Sequence, residues 1–175
     1  MLKDEKGHWV EILEIGEELR KRIIEETLQG ILRLLESAEK LLNSEGNVAI
    51  CLGLYTFAVE EYGKVLLLKK YTSSNGKVKI QYKNGFRNHD TKFILAIKNL
   101  PSECITVGMF GFDSGFDECF ERGETSSDEE ARWAVFYTDI LASGDGIKPD
   151  PIVDRTLLKN AMRKLCDIAS STTIP

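Results

Sequence analysis

From Asn47 to Leu68 the chain reads NVAICLGLYTFAVEEYGKVLLL, 22 residues whose charges are confined to Glu60, Glu61 and Lys64. Wound as a helix, this stretch is apolar nearly all the way round, and such a helix has to be covered on every side. A bilayer would have to accept three ionisable groups at about 2.5–3.5 kcal/mol each near the centre of a span. A protein interior is the less costly cover, so the stretch predicts the central helix of a bundle and no membrane partner. Glu60 and Glu61 lie four and three residues before Lys64, so one lysine can answer either carboxylate on the same helix face.

The preceding segment supplies the first partner. Glu17 to Asn43 repeats apolar residues at Leu19, Ile23, Ile24, Leu28, Ile31, Leu34, Leu35, Ala38, Leu41 and Leu42, the 3.6-residue stripe of a long amphipathic helix. Ser44-Glu45-Gly46-Asn47 gives the Gly and Asn signals of a helix end. So short a turn predicts an antiparallel hairpin of helices, Glu17 to Asn43 against Asn47 to Tyr71, packed along their length. Before it, Met1 to Gly16 is a charged lead-in whose Trp9, Ile12, Leu13 and Ile15 are expected to dock as a short helix.

Beyond the hairpin, TSSNGK is turn-rich and KVKIQY alternates Val78, Ile80 and Tyr82 with polar residues, which predicts an extended loop or short strands confined to Lys77 to Tyr82. Helical spacing returns at His89 to Leu100 and stops at Pro101. Cys104 to Ser127 carries Phe110, Phe112, Phe116 and Phe120 among repeated glycines and reads as a loop that tucks aromatics into a groove. Ser127-Asp128-Glu129-Glu130 is a capped start with acids placed for the helix dipole, leading into a fourth helix. Asp154 to Ala169 supplies a fifth. The fold class is all-α: a bundle of about five helices in one domain, 17–169, with a lead-in at 1–16 and a tail at 170–175.

Charge is unevenly placed. Between Lys69 and Lys98 there are eight Lys or Arg against Asp90, a local balance of +7 in a chain whose net charge is −5. Between Asp113 and Glu130 eight acids face Arg122 alone. Either these are solvated loops, or a phosphate-facing patch that includes Lys79 and Lys83 has an acidic segment able to cover it. The four cysteines are widely separated, without CxxC spacing or nearby histidine pairs, so they read as reduced thiols and no metal or cofactor is expected. Met1 leads into LKDEKGHW instead of a basic and then apolar leader, so a cytoplasmic setting is expected.

No P-loop, GxGxxG, HExxH or GxSxG occurs. What remains is a polar constellation of Glu60, Glu61 and Lys64 in the central helix, Arg87, His89 and Lys92 at the start of the third, and Arg132, Tyr137 and Asp139 in the fourth. Histidine exchanges a proton near neutral pH, while Arg and Lys hold phosphate or stabilise a pentacoordinate transition state. These are the parts of a metal-free ribonuclease, with Glu61, Lys64, Arg87, His89 and Lys92 as catalytic candidates and the others as binding residues. Equally, His89 would cap a helix or satisfy a buried hydrogen bond, and Glu60, Glu61 and Lys64 would form an internal ion pair that fixes helix register.

AVEEYGKVLLL after a long first helix, then FRNHDTK, then ARWAVFYTDI, resembles the AbiV-type abortive infection proteins. These are a branch of the HEPN (higher eukaryote and prokaryote nucleotide-binding) helical superfamily. The resemblance spans Glu26 to Ile140. It implies a helical bundle, often a homodimer, with a role in defence against phage. Many HEPN proteins are metal-independent endoribonucleases with an RxxxxH-type motif at a dimer interface; here Arg87 and His89 are separated by one residue instead of four to six. Two functions stay open: an effector that cleaves RNA, and a non-catalytic module that binds a phage or host protein. The aromatic loop and the apolar central helix also favour self-association.

Overall fold

A computed structural model describes residues 2–3, 9–10, 12–44, 48–70, 78–81, 89–104 and 154–174. Helix α1 spans Glu17–Asn43 and buries Ile24, Leu28, Ile31, Leu35, Ala38 and Leu42 at the predicted spacing. Glu17 and Glu18 stand in its first turn and Lys40 in its last, each matching the helix dipole. Helix α2 spans Val48–Lys70 and packs on α1 along one side. Helix α3 (His89–Asn99) covers α2 on another side, and helix α4 (Arg155–Ser171) lies against both members of the hairpin. The even apolarity of α2 follows from this placement: with three helical neighbours, Cys51, Leu52, Tyr55, Ala58, Val59, Val65, Leu67 and Leu68 are all buried.

Helix α4 is fixed at both ends. Asp154 caps its N-terminus, accepting from Thr156 N at 2.6 Å and Leu157 N at 3.1 Å, which satisfies two of the backbone donors a helix start leaves open. Its first two turns bring cations to the C-terminal end of α1, where Arg155 donates to the Leu42 carbonyl at 3.5 Å and Lys159 to Asn43 Oδ1 at 2.9 Å. Past its other end, the Thr173 carbonyl accepts from Lys69 Nζ at 3.0 Å. Leu158, Ala161, Met162, Leu165 and Ala169 fill the interior between these anchors.

After α3, Pro101 ends the helix and Ser102–Cys104 forms a single 3₁₀ turn. The Tyr55 hydroxyl of α2 donates to the Cys104 carbonyl at 2.8 Å inside the core. Burial, together with Cys104 and this bond, raises the Tyr55 titration far above the usual phenol range. Burial likewise pushes the Cys51 and Cys104 thiols up, and Cys51, Cys104 and Cys166 are free thiols.

The lead-in differs from its expectation. Ile12–Ile15 is a strand, not a helix, and it pairs antiparallel with Val78–Gln81, Ile12 opposite Gln81 and Ile15 opposite Val78. Leu2–Lys3 and Trp9–Val10 form a second antiparallel pair, so pairing is not confined to 77–82. The physical reason lies in length and partner: a lone turn or two of helix is marginal in water, whereas β-branched residues opposite an alternating segment complete a ladder. Both sheets are two-stranded, and the core remains helical, with Ile15 reaching it. Of the five predicted helices, the one beginning near Ser127 lies outside the described residues, as does the Phe110–Phe120 loop. Among the described residues no helix is long and apolar enough to cross a membrane.

Replacing Tyr55 with Phe keeps the shape and removes the donor to a buried carbonyl. We expect Tyr55→Phe to lower stability by about 1–3 kcal/mol in urea unfolding with an unchanged m-value. A change within about 0.5 kcal/mol, the range of an ordinary surface substitution, would show that the Cys104 carbonyl is satisfied without Tyr55.

Candidate functional site

The central feature of the site is a carboxylate where α2 has no apolar reason to hold one. Glu60 sits at the α2–α3 crossing with 3% of its surface exposed, and Lys92 of α3 is 6% exposed. Lys92 Nζ lies 2.7 Å from Glu60 Oε1. The same oxygen lies 2.6 Å from His89 Nδ1, while the His89 side chain is 63% exposed. One buried anion thus faces a buried ammonium and the inner nitrogen of a ring that stands in solvent.

The spacing of the two helices produces this. Glu60 and Gly63 are three residues apart on α2, and His89 and Lys92 three apart on α3, so each pair shares a face. The glycine lets the faces meet. A Cβ built on Gly63 would fall 1.8 Å from the Lys92 carbonyl oxygen and 2.5 Å from its carbon, so the α3 backbone occupies the place of a side chain on α2. No sequence motif singles out Gly63. Its signal is a glycine inside a strongly apolar helix, where it costs about 1 kcal/mol relative to alanine and so marks a close backbone approach.

Protonation roles follow from the partners. A carboxylate has acceptors only, and an ammonium has donors only. Glu60 Oε1 therefore accepts from Lys92, and the ring contact is made by a proton on His89 Nδ1. In the neutral imidazole this leaves Nε2 with the lone pair.

Glu61 turns to a different face and pairs with Lys64 at 3.1 Å, both side chains partly exposed. The two adjacent glutamates are thus divided, Glu60 to α3 and Glu61 to its own helix. Lys79 stands in the Val78–Gln81 strand opposite Glu14. Lys83, Arg87, Arg132, Tyr137 and Asp139 lie outside the described residues. Among the described residues no three His, Cys, Asp or Glu side chains gather as a metal-holding group.

Removing one partner of a buried ion pair leaves the other charge uncompensated. Lys92→Met is expected to lower stability by about 3–5 kcal/mol, and the double change Glu60→Leu with Lys92→Met to recover most of that loss. A double-mutant cycle on denaturant unfolding measures it; a coupling below about 0.5 kcal/mol would mean that the two charges do not support one another.

The HEPN_AbiV family model, described as AbiV, matches residues 20–166. Comparison with curated proteins and with solved structures gives no match. The family match runs from the first turns of α1 into α4 and includes Glu60, Gly63, His89 and Lys92: the chain belongs to the AbiV family of HEPN proteins.

Proposed function

We propose that the protein is an abortive-infection effector acting in the cytoplasm, and that its HEPN domain cleaves RNA with His89 as the proton-transfer group. The observation that carries this reading is the exposed imidazole whose Nδ1 is held at 2.6 Å by a buried carboxylate. A helix-capping or packing histidine has no need of a solvent-facing ring oriented from behind. Nε2 is the group that would accept the proton of a ribose 2′-hydroxyl as that oxygen attacks the neighbouring phosphorus. The leaving 5′-oxygen then takes a proton from an acid, and the product is a 2′,3′-cyclic phosphate. Glu60 and Lys92 are too buried to touch RNA themselves, so in this reading they hold the ring, while phosphate is met by the cations the sequence offers, Lys64, Lys79, Lys83, Arg87 and Arg132. The reaction needs an acid as well as a base, and a symmetric homodimer would supply a second His89.

A second reading is favoured by the same burial: with Glu60 and Lys92 enclosed, one accessible ionisable side chain remains of the three, which also suits a non-catalytic surface for a phage or host protein.

Incubation of the pure protein with total cellular RNA, with and without EDTA, separates the two. RNA cleavage that persists in EDTA is the expected result. His89→Ala should reduce it on the order of 10²–10⁴-fold, the usual contribution of a general acid or base, and abolish phage protection while the thermal midpoint stays within a few degrees. Full cleavage by the His89→Ala protein would remove His89 from the chemistry.

The basic island gives an independent check. Charge reversal at Lys79 and Lys83 should weaken RNA binding and flatten its salt dependence, because fewer phosphate counterions are released. Absence of RNA binding by the unaltered protein at low salt would favour the protein-binding reading.

A further inference from the structure

The geometry points to Gly63 as a positioning residue for His89. We propose that the close approach of the α3 backbone to Gly63 fixes the distance at which Glu60 meets the ring. This rests on the reading of His89 as the proton-transfer group and adds the element that sets its orientation.

Three observations bear on one crossing. The Lys92 carbonyl oxygen, carbon and Cα lie 1.8, 2.5 and 3.0 Å from where a Gly63 Cβ would stand. All three are backbone atoms, so no side-chain rotation could make room. One turn back on the same face of α2, Glu60 Oε1 reaches both Lys92 Nζ at 2.7 Å and His89 Nδ1 at 2.6 Å. One turn back on α3, His89 begins the helix, so its place is set by how α3 is seated. Any side chain at 63 pushes α3 outward by something over an ångström, and the carboxylate–imidazole bond is the contact least able to follow. Glu60 is anchored in the core, and a hydrogen bond stretched from 2.6 Å by that amount is broken. The buried ammonium, on a flexible four-carbon stem, can reach back to Glu60 where the short imidazole side chain cannot.

The alternative is that Gly63 is merely a tolerated helical glycine. The two cases make opposite forecasts for Gly63→Ala. A tolerated glycine replaced by alanine gains helix propensity and raises the thermal midpoint. A seating glycine loses its contact, lowers the midpoint and frees the ring.

The test uses the full chain and reads the ring directly. Ring ¹⁵N shifts of His89, recorded where the imidazole is neutral and identified against His89→Ala because His8 is the one other histidine, report which nitrogen carries the proton. In the unaltered protein we expect one tautomer, with the proton on Nδ1. In Gly63→Ala we expect the averaged shifts of an unheld imidazole, and in the RNA assay a fall in kcat on the order of 10–100-fold, the cost of an ångström-scale misplacement, with KM little changed. A raised midpoint with the Nδ1–H tautomer retained overturns the proposal, and so does an averaged tautomer already present in the unaltered protein. Loss of the folded chain in Gly63→Ala overturns it too, because the contact would then belong to the architecture instead of to the ring's orientation. If the unaltered protein cleaves no RNA, the function proposed above fails, and the ring shifts still decide the role of Gly63.

Discussion

The structure depends on covering α2 from several sides at once. A helix whose apolar residues fall on every face realises only part of its burial with a single partner, since covering one stripe leaves the others in water. The hairpin with α1 covers one side, α3 another, and α4 closes onto both helices. Fully burying one Leu, Val or Ile side chain contributes about 1.5–3 kcal/mol, and α2 places such side chains against each neighbour in turn. The polar ties at the surface, Arg155 and Lys159 on the end of α1 and Lys69 on the tail, select the direction of α4 more than they add stability.

Against that background Glu60 is costly. An isolated carboxylate at 3% exposure would forfeit several kcal/mol of hydration, and its attraction to Lys92 offsets this only if the geometry is good and the remaining lone pairs are used. Two donors on one oxygen, at 2.6 and 2.7 Å, use both lone pairs of Oε1 at short range. Buried pairs of this kind are weak contributors to net stability, and their best-attested use is to specify one arrangement over its neighbours. Here the arrangement specified is the register of α3 on α2. A one-residue slip would carry both His89 and Lys92 off the carboxylate.

Sequence legibility divides along physical lines. The bounds of α1 and the place of α4 follow from apolar stripes sustained over several turns. Such signals repeat, so individual exceptions do not obscure them. The Ile12–Ile15 strand was not legible because its stability comes from Val78–Gln81, more than sixty residues away, and no local pattern records a remote partner. The site was half legible for the same reason. The three-residue spacing of His89 and Lys92 puts them on one face, and α2 visibly carried acids it should not need, but Glu60 and Glu61 are equivalent in sequence and differ only in which neighbour each faces. Gly63 was not legible at all, because its meaning comes only from the backbone that fills the place of its side chain.

The buried pair also changes how the basic island between Lys69 and Lys98 should be weighed. Lys92 is one of its cations, but with Glu60 at 2.7 Å and almost no exposure it forms a dipole turned inward and adds little to the field a phosphate meets. Lys64, just outside the island, is similarly offset by Glu61 at 3.1 Å, though both stay partly exposed and water weakens their attraction. Lys70 and Lys98 are exposed on the described helices, where the field of a charge extends roughly a Debye length, about 8 Å at physiological salt. Burial thus sets Lys92 apart from the exposed cations of this region: it steadies the carboxylate behind His89. In the proposed reading, an anionic substrate would meet, at the α2–α3 crossing, an imidazole backed by a pair that is close to neutral. The ring would thereby be kept in place without a net negative charge behind it to repel a phosphate.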